Sequence, residues 1–153
     1  MKKILDGVRV LDLGRIISAP YCAMLLADMG AEVIKVEKAG VGDDMRTMSE
    51  FDFPAVNRNK KCVTIQFRSE EGKQLLRELI KKSDILLENF RPGTMEKMGF
   101  SYEEVKKINP RIIMASISGY GQTGPYRNRA AFDSIIQAVS GIMSVTGTKE
   151  SGP

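Results

Sequence analysis

With 153 residues, 42% of them hydrophobic and 27% charged, the chain has the make-up of a soluble domain long enough to bury a core. Its 23 basic and 19 acidic side chains give a net charge of +4, a mild lean toward anionic ligands that falls well short of a nucleic-acid arm. Histidine is absent, which excludes histidine-based triads and histidine metal ligands and leaves Asp, Glu, Lys, Tyr or Cys for any proton transfer.

The first unit, "GVRVLDLG", reads as a strand ending at Gly14. After a loop from Arg15 to Ala19, Pro20 sits where a first helical turn tolerates it, and Tyr21, Met24, Leu25 and Met29 recur at helical spacing up to Gly30. "EVIKVEK" follows as a second strand, and strand, helix and strand within about 30 residues make a βαβ unit with a right-handed crossover. Residues 38–61 form a polar connection long enough to be functional or mobile.

"CVTIQF" alternates as a third strand, with Val63, Ile65 and Phe67 on one face. Ser69 is placed to cap a helix whose Leu75, Leu76, Leu79 and Ile80 form an apolar stripe. The run Ile85, Leu86, Leu87 is a fourth, buried strand that switches abruptly to "ENFRPG". Ser101 and Glu104 then spell a capping box, with Phe100 and Val105 as its hydrophobic staple. "RIIMASIS" is a fifth buried strand, "GYGQTGPYRNR" a glycine-rich loop, and Ala130 to about Met143 a helix with Ile135, Ile136 and Val139 inward. Strands alternating with helices define an α/β fold with a doubly wound sheet.

Cys22 and Cys62 make no CxxC or metal spacing and sit among apolar neighbours, so buried free thiols are expected and no metal is. Apolar runs are far shorter than the roughly 18 residues of a membrane span. Asp6 and Gly7 interrupt any signal-peptide core, so cytoplasmic residence without a membrane partner is the default.

Open parallel sheets bind ligands beyond the carboxyl ends of their strands. Arg15, Lys38, Arg68, Arg91 and Lys97 recur near those ends, either as solvated surface cations or as a rim for a polyanion against which Phe90 could stack. Glu37 stands where a ribose-binding acid would, but the first turn lacks GxGxxG and no P-loop occurs, which disfavours NAD and ATP. Gly119, Gly121 and Gly124 serve either a structural turn or close approach to a ligand. Asp133 either complements a helix dipole or faces the site.

Taken together, "LDGVRVLDLGRIISAPYCAMLLADMGAEVIKVEK", "NRNKKCVTIQF", "LLENFRPGTMEKMGF" and "SISGYGQTGPYRNRAAFDSIIQAVSGIMSVTG" resemble the family III CoA-transferases of the CaiB/BaiF type, from about Leu5 to Gly147. The resemblance implies a Rossmann-like large domain with a mainly parallel sheet, of which residues 1–153 are the N-terminal part. It also implies an interlocked homodimer whose substrates are an acyl-CoA and a carboxylate, with no metal and no NAD. In such transferases an aspartate attacks the thioester, giving a mixed anhydride and then an enzyme-bound thioester. A racemase acting on α-methylacyl-CoA belongs to the same family.

By the same resemblance, Ile17 and Ser18 lie beside the thioester end, and Lys38 meets the nucleotide part of CoA. Ile65, Gln66, Phe67 and Arg68 match the segment lining the adenosine and its phosphate. Asn89, Phe90 and Arg91 match the CoA-contacting turn, Lys97 and Met98 the pair beyond it, and Ala130, Phe132 and Asp133 the helix start bordering the reacting centre. Three departures bear on specificity. Isoleucine stands at position 17, where formyl-CoA transferase has a glutamine. Phe132 replaces the racemase's histidine, and Ala130 replaces a CoA-binding lysine. The family's nucleophilic aspartate is expected roughly ten residues past Pro153, and the small domain too is expected to lie outside these 153 residues. The chain is therefore expected to match roughly the first 40% of a family member, without turnover on its own.

Overall fold

The computed structural model describes residues 2–48 and 52–152. β1 (Arg9–Asp12) leads through α1 (Ser18–Asp28) to β2 (Glu32–Lys38), and two short helices, α2 (Met45–Met48) and α3 (Asp52–Asn57), lead to β3 (Lys60–Ile65). The chain continues through α4 (Glu70–Lys81), β4 (Ile85–Glu88), α5 (Thr94–Lys97), α6 (Tyr102–Ile108) and β5 (Ile113–Ser116). It ends with α7 (Asp133–Ser140) and a 3₁₀ turn at Ile142–Val145. The five strands form one all-parallel sheet in the order β3-β2-β1-β4-β5. That order reverses direction between β1 and β4, the topological switch point of a doubly wound α/β fold, as the alternation of elements predicts.

Side chains along each strand alternate between two faces. Leu11, Leu13, Val36, Ile65 and Leu86 face α4, α5 and α6, where they meet Leu76, Ile80, Met95, Phe100 and Val105. Each such fully buried aliphatic or aromatic side chain contributes about 1.5–3 kcal/mol of transfer free energy, so this face supplies most of the apolar core. The caps read from the sequence form: Ser69 Oγ accepts from the Gly72 N–H at 3.0 Å, and Ser101 Oγ from the Glu104 N–H at 3.3 Å. Gly72 has a second function. A Cβ there would lie 2.0 Å from the Gln66 carbonyl oxygen, so only glycine lets α4 dock against the end of β3.

The opposite face carries a smaller cluster of Val10, Ala23, Ala27, Ala31, Val33 and Leu87. Here α1 differs from the expected stripe. Tyr21, Leu25 and Met29 are exposed, while Ala19, Pro20, Ala23, Met24 and Ala27 are buried. Small residues let the helix lie close to the sheet, so closeness of approach, rather than side-chain bulk, chooses the buried face.

Other expectations fail toward the sheet's edges and the chain's end. Cys62 is exposed because β3 is an edge strand whose outer surface no other element among the described residues covers, and Cys22 on α1 is half-buried against the smaller cluster. Val63 is exposed for the same reason, although Ile65 is buried and Phe67 half-buried. β5 closes the other edge and leaves Ile113 open. α7 buries none of its residues, and Ile135 and Val139, expected inward, are exposed because nothing in the described residues packs over them. Leu75 likewise lies outside the buried stripe of α4. The polar connection contains α2 and α3, while its Ser49, Glu50 and Phe51 lie outside the described residues.

Candidate functional site

All five strands point their carboxyl ends to one edge of the sheet, and the loops that leave them build the site. The turn after β1 is made tight by Gly14, where a Cβ would come within 2.5 Å of the Ala19 Cβ and 2.8 Å of the Pro20 Cδ. Two residues on, Ile16 takes φ +62°, a left-handed conformation that a β-branched residue adopts only where the surroundings dictate it.

Those surroundings are a lattice of buried charge. Asp43 Oδ1 accepts from the Ile16 N–H and the Met45 N–H, both at 3.0 Å, while its Oδ2 lies 2.7 Å from Lys35 Nζ. Lys35 Nζ also donates to the Gly14 carbonyl at 2.8 Å, and the Asp12 carboxylate accepts from the Gly14 N–H at 2.8 Å. Lys60 Nζ meets Asp12 Oδ2 at 2.8 Å and donates to the Pro20 carbonyl and Asn57 Oδ1. Lys35, Asp12 and the Lys60 ammonium are fully buried. Burial pushes the Lys60 amine down and Asp12 partly restores it. Burial works against ionised Asp43 too, yet Lys35 and the two N–H donors hold its carboxyl below the usual range.

Glu37 completes the lattice. Its carboxylate accepts two bonds from the Arg46 guanidinium at 2.7 Å and one from the Asp43 N–H at 2.9 Å. Burial opposes its charge, but the guanidinium and the N–H together lower the acid below its ordinary value. The carboxylate is thereby spent on α2, which removes it as a ribose ligand. Nothing in the chain's motifs marked Asp12, Lys35, Asp43 or Lys60. The available signal was charge on the α1 side of two strands otherwise apolar there: Asp12 two residues after Val10, and Lys35 and Glu37 after Val33.

Above this lattice opens a cleft of about 270 Å³. Leu13, Val36, Phe67, Phe90 and Met98 give it apolar walls, and Arg15, Lys38, Gln66 and Arg68 give it a polar rim. Lys38 and Arg68 form no ion pair among the described residues, whereas Arg15 pairs with Asp44. Six of the residues matched to the CoA site by resemblance thus meet in one place, Lys38, Gln66, Phe67, Arg68, Phe90 and Met98, together with Arg15 of the rim and Glu37. Ile65 lies in the core beneath them.

The remaining candidates are distributed differently. Asn89 uses its amide to brace the neighbouring loop: Oδ1 accepts from the Arg15 N–H at 2.8 Å, and Nδ2 donates to the Arg15 carbonyl at 2.8 Å and Ser18 Oγ at 2.9 Å. Ile17 and Ser18 are exposed where α1 begins. Lys97 is exposed at the end of α5, and Ala130, Phe132 and Asp133 are exposed around the start of α7; none of these lines the cleft. Arg91 opens instead onto a second cleft of about 210 Å³ between the ends of β4 and β5, shared with Glu88, Glu96, Tyr102, Ser116 and Gln122.

An apolar slot with unpaired cations along its rim, at the switch point of a parallel sheet, suits a ligand that joins a flat ring to phosphates. Comparison with known proteins gives the class. Residues 5–153 match CoA-transferase family III, and the chain belongs to that family. It is 48% identical to succinyl-CoA–D-citramalate CoA-transferase of Chloroflexus aurantiacus over 97% of its own length and 39% of that protein. It is 44% identical to acetyl-CoA:oxalate CoA-transferase of Acetobacter aceti over 97% of its length and 40% of that protein. The crystal structure of a CAIB/BAIF family protein from Brucella suis superposes with a TM-score of 0.94 at 42% identity, covering all of this chain and 43% of that one. The chain therefore spans about two fifths of the proteins it matches. Among the described residues, no helix is long and apolar enough to cross a membrane, and no three acidic or cysteine side chains cluster as metal ligands would.

Proposed function

We propose that this chain is the CoA-binding, N-terminal part of the large domain of an acyl-CoA:carboxylate CoA-transferase, and that the larger cleft holds the nucleotide end of CoA. The observation that carries this reading is the convergence of Lys38, Gln66, Phe67, Arg68, Phe90 and Met98 on one slot in a member of family III. Lys38 and Arg68 meet phosphates, and Phe67 and Phe90 offer apolar faces to the adenine. Asn89 holds the loop bearing Ile17 and Ser18 in register with the β4 turn, so that the pantetheine arm runs toward α1 and the start of α7.

In the reaction proposed, an aspartate carboxylate attacks the thioester carbonyl and releases CoA thiolate. The thiolate then attacks the aspartyl carbonyl of the mixed anhydride, freeing the first acid and leaving CoA on the enzyme. The acceptor carboxylate repeats these two steps in reverse and departs as the new thioester. That aspartate is proposed to lie beyond Pro153, so this chain supplies binding rather than the nucleophile. The names of the two relatives support small carboxylic acids as the exchanging partners. The same reading makes the protein a cytoplasmic homodimer, in which other parts of the assembly cover Ile113, Ile135 and Val139.

Calorimetric titration with CoA tests the proposal. The chain is expected to bind, and Lys38→Ala and Arg68→Ala each to weaken binding by about 10- to 100-fold, the range for one charge-assisted hydrogen bond. A folded chain that gives neither heat nor thermal shift with CoA would refute it.

A further inference from the structure

Three cations line the larger cleft: Arg15, Lys38 and Arg68. Lys38 and Arg68 have no carboxylate partner among the described residues, whereas Arg15 Nη2 donates to Asp44 Oδ2 on the loop after β2. The two acids in the cleft wall, Glu37 and Asp43, are already committed to Arg46 and Lys35. Asp44 is thus the carboxylate set against a cation of this rim.

The Arg15–Asp44 pair is unlike its neighbours. Lys35 and Asp43 are at most 1% exposed, but the side chains of Arg15 and Asp44 are 50% and 47% exposed. An ion pair so open to water is worth little, because solvent screens it and two side chains are immobilised to make it. The main chain of Arg15, by contrast, is fixed. Its N–H and carbonyl both bond the Asn89 amide, the Gly14 carbonyl before it accepts from Lys35, and the Ile16 N–H after it donates to Asp43. Rotation of the side chain alone therefore moves the guanidinium off Asp44, with the backbone left in place.

We propose that Arg15 is a third phosphate ligand of this cleft and that Asp44 is its internal competitor, so that CoA binds by exchanging a phosphate for the Asp44 carboxylate. This rests on the reading that the cleft takes the nucleotide end of CoA. That end carries a pyrophosphate and a ribose phosphate, more negative charge than Lys38 and Arg68 together neutralise. Asp44 engages a single guanidinium nitrogen, whereas a phosphate accepts two parallel N–H bonds from an arginine, so the exchange favours the ligand. The released Asp44 carboxylate, already half in water, is hydrated at little cost. Asp44 thereby lowers the affinity of the cleft for CoA without touching CoA.

The experiment is a double-mutant cycle: calorimetric titration of CoA into the wild-type chain, Arg15→Gln, Asp44→Asn and the double variant. A salt concentration of about 0.15 M screens repulsion acting across solvent. Arg15→Gln should weaken CoA binding by about tenfold, a charge-assisted bond less the pair given up for it. Asp44→Asn should tighten binding by about two- to fivefold, which is what an exposed ion pair is worth. In the Arg15→Gln background that gain should vanish, because no guanidinium remains to be released. An equal gain from Asp44→Asn with and without Arg15 overturns the exchange, since Asp44 would then act by repulsion alone. Unchanged affinity in both single variants also overturns it, and leaves CoA binding by Lys38 and Arg68 intact. Absence of CoA binding to the folded wild-type chain overturns the parent reading and this inference with it.

Discussion

The two halves of the sheet's ligand edge treat buried charge in opposite ways. Beside β1, β2 and β3, every buried carboxylate has a cation within 2.8 Å, and the resulting lattice holds Ile16 in a conformation it would otherwise avoid. Beside β4 and β5, Glu88 has only neutral partners. The first half is thus built as a fixed frame, and the second keeps a charge that can change when its surroundings change. The lesson is that burial alone does not identify a responsive acid. Whether a counter-charge is locked against it does.

The sharpest way to break this contrast is to unpair the frame. Lys35→Met should cost about 3–5 kcal/mol in chemical denaturation, because Asp43 would be left buried without its cation. A loss within experimental error would mean that the lattice contributes no fixed frame at all. Gly72→Ala comes next. With the new Cβ driven against the Gln66 carbonyl, the expected loss is about 3 kcal/mol, the upper range for overpacking, with Gln66 and Arg68 displaced from the cleft. The prediction fails if the variant melts with the wild type.

The smallest effect is a difference in pH dependence. Burial raises the Glu88 pKa above its ordinary value, so the folded chain binds its proton more tightly than the unfolded one. The stabilisation from that proton is complete below the unfolded value and disappears as pH rises through the folded one. Relative to Glu88→Gln, wild-type stability should therefore fall with rising pH over that interval. Glu37 and Asp43 have the opposite sign, losing their contribution as pH falls through their lowered values, so the two variants' curves should separate only on the alkaline side. Parallel curves would mean that folding leaves Glu88 unshifted, and divergence of the opposite sign would place it with the paired acids.

Much of the fold was legible because local signals agreed with one another. Strand and helix periods, the Ser69 and Ser101 caps and the alternation of elements all imply a parallel sheet, and that is what forms. Sequence reasoning failed where burial depends on what lies opposite. Tyr21, Leu25 and Met29 have helical spacing, but the sheet takes the alanines instead. Ile135 and Val139 have an inward pattern, but nothing among the described residues packs over them.

The site was legible in part for a related reason. Strand ends locate the rim, so Lys38, Arg68 and Phe90 could be named from topology. The lattice was not visible in the same way, because a lysine in "EVIKVEK" gives no hint that Asp43, eight residues on in a polar loop, folds back to meet it. Asn89 is the complementary case: its position after β4 follows from topology, while the bonds of its amide to Arg15 and Ser18 have no signal in the sequence.

The central claim is that CoA occupies the cleft between the ends of β2, β3 and β4. Amide hydrogen exchange of the chain with and without CoA tests this most directly. The expected result is slowed exchange at Lys38, at Gln66 to Arg68 and at Phe90, with little change at Ile113 or along α7. Protection confined to other segments, or none at saturating CoA, would contradict it.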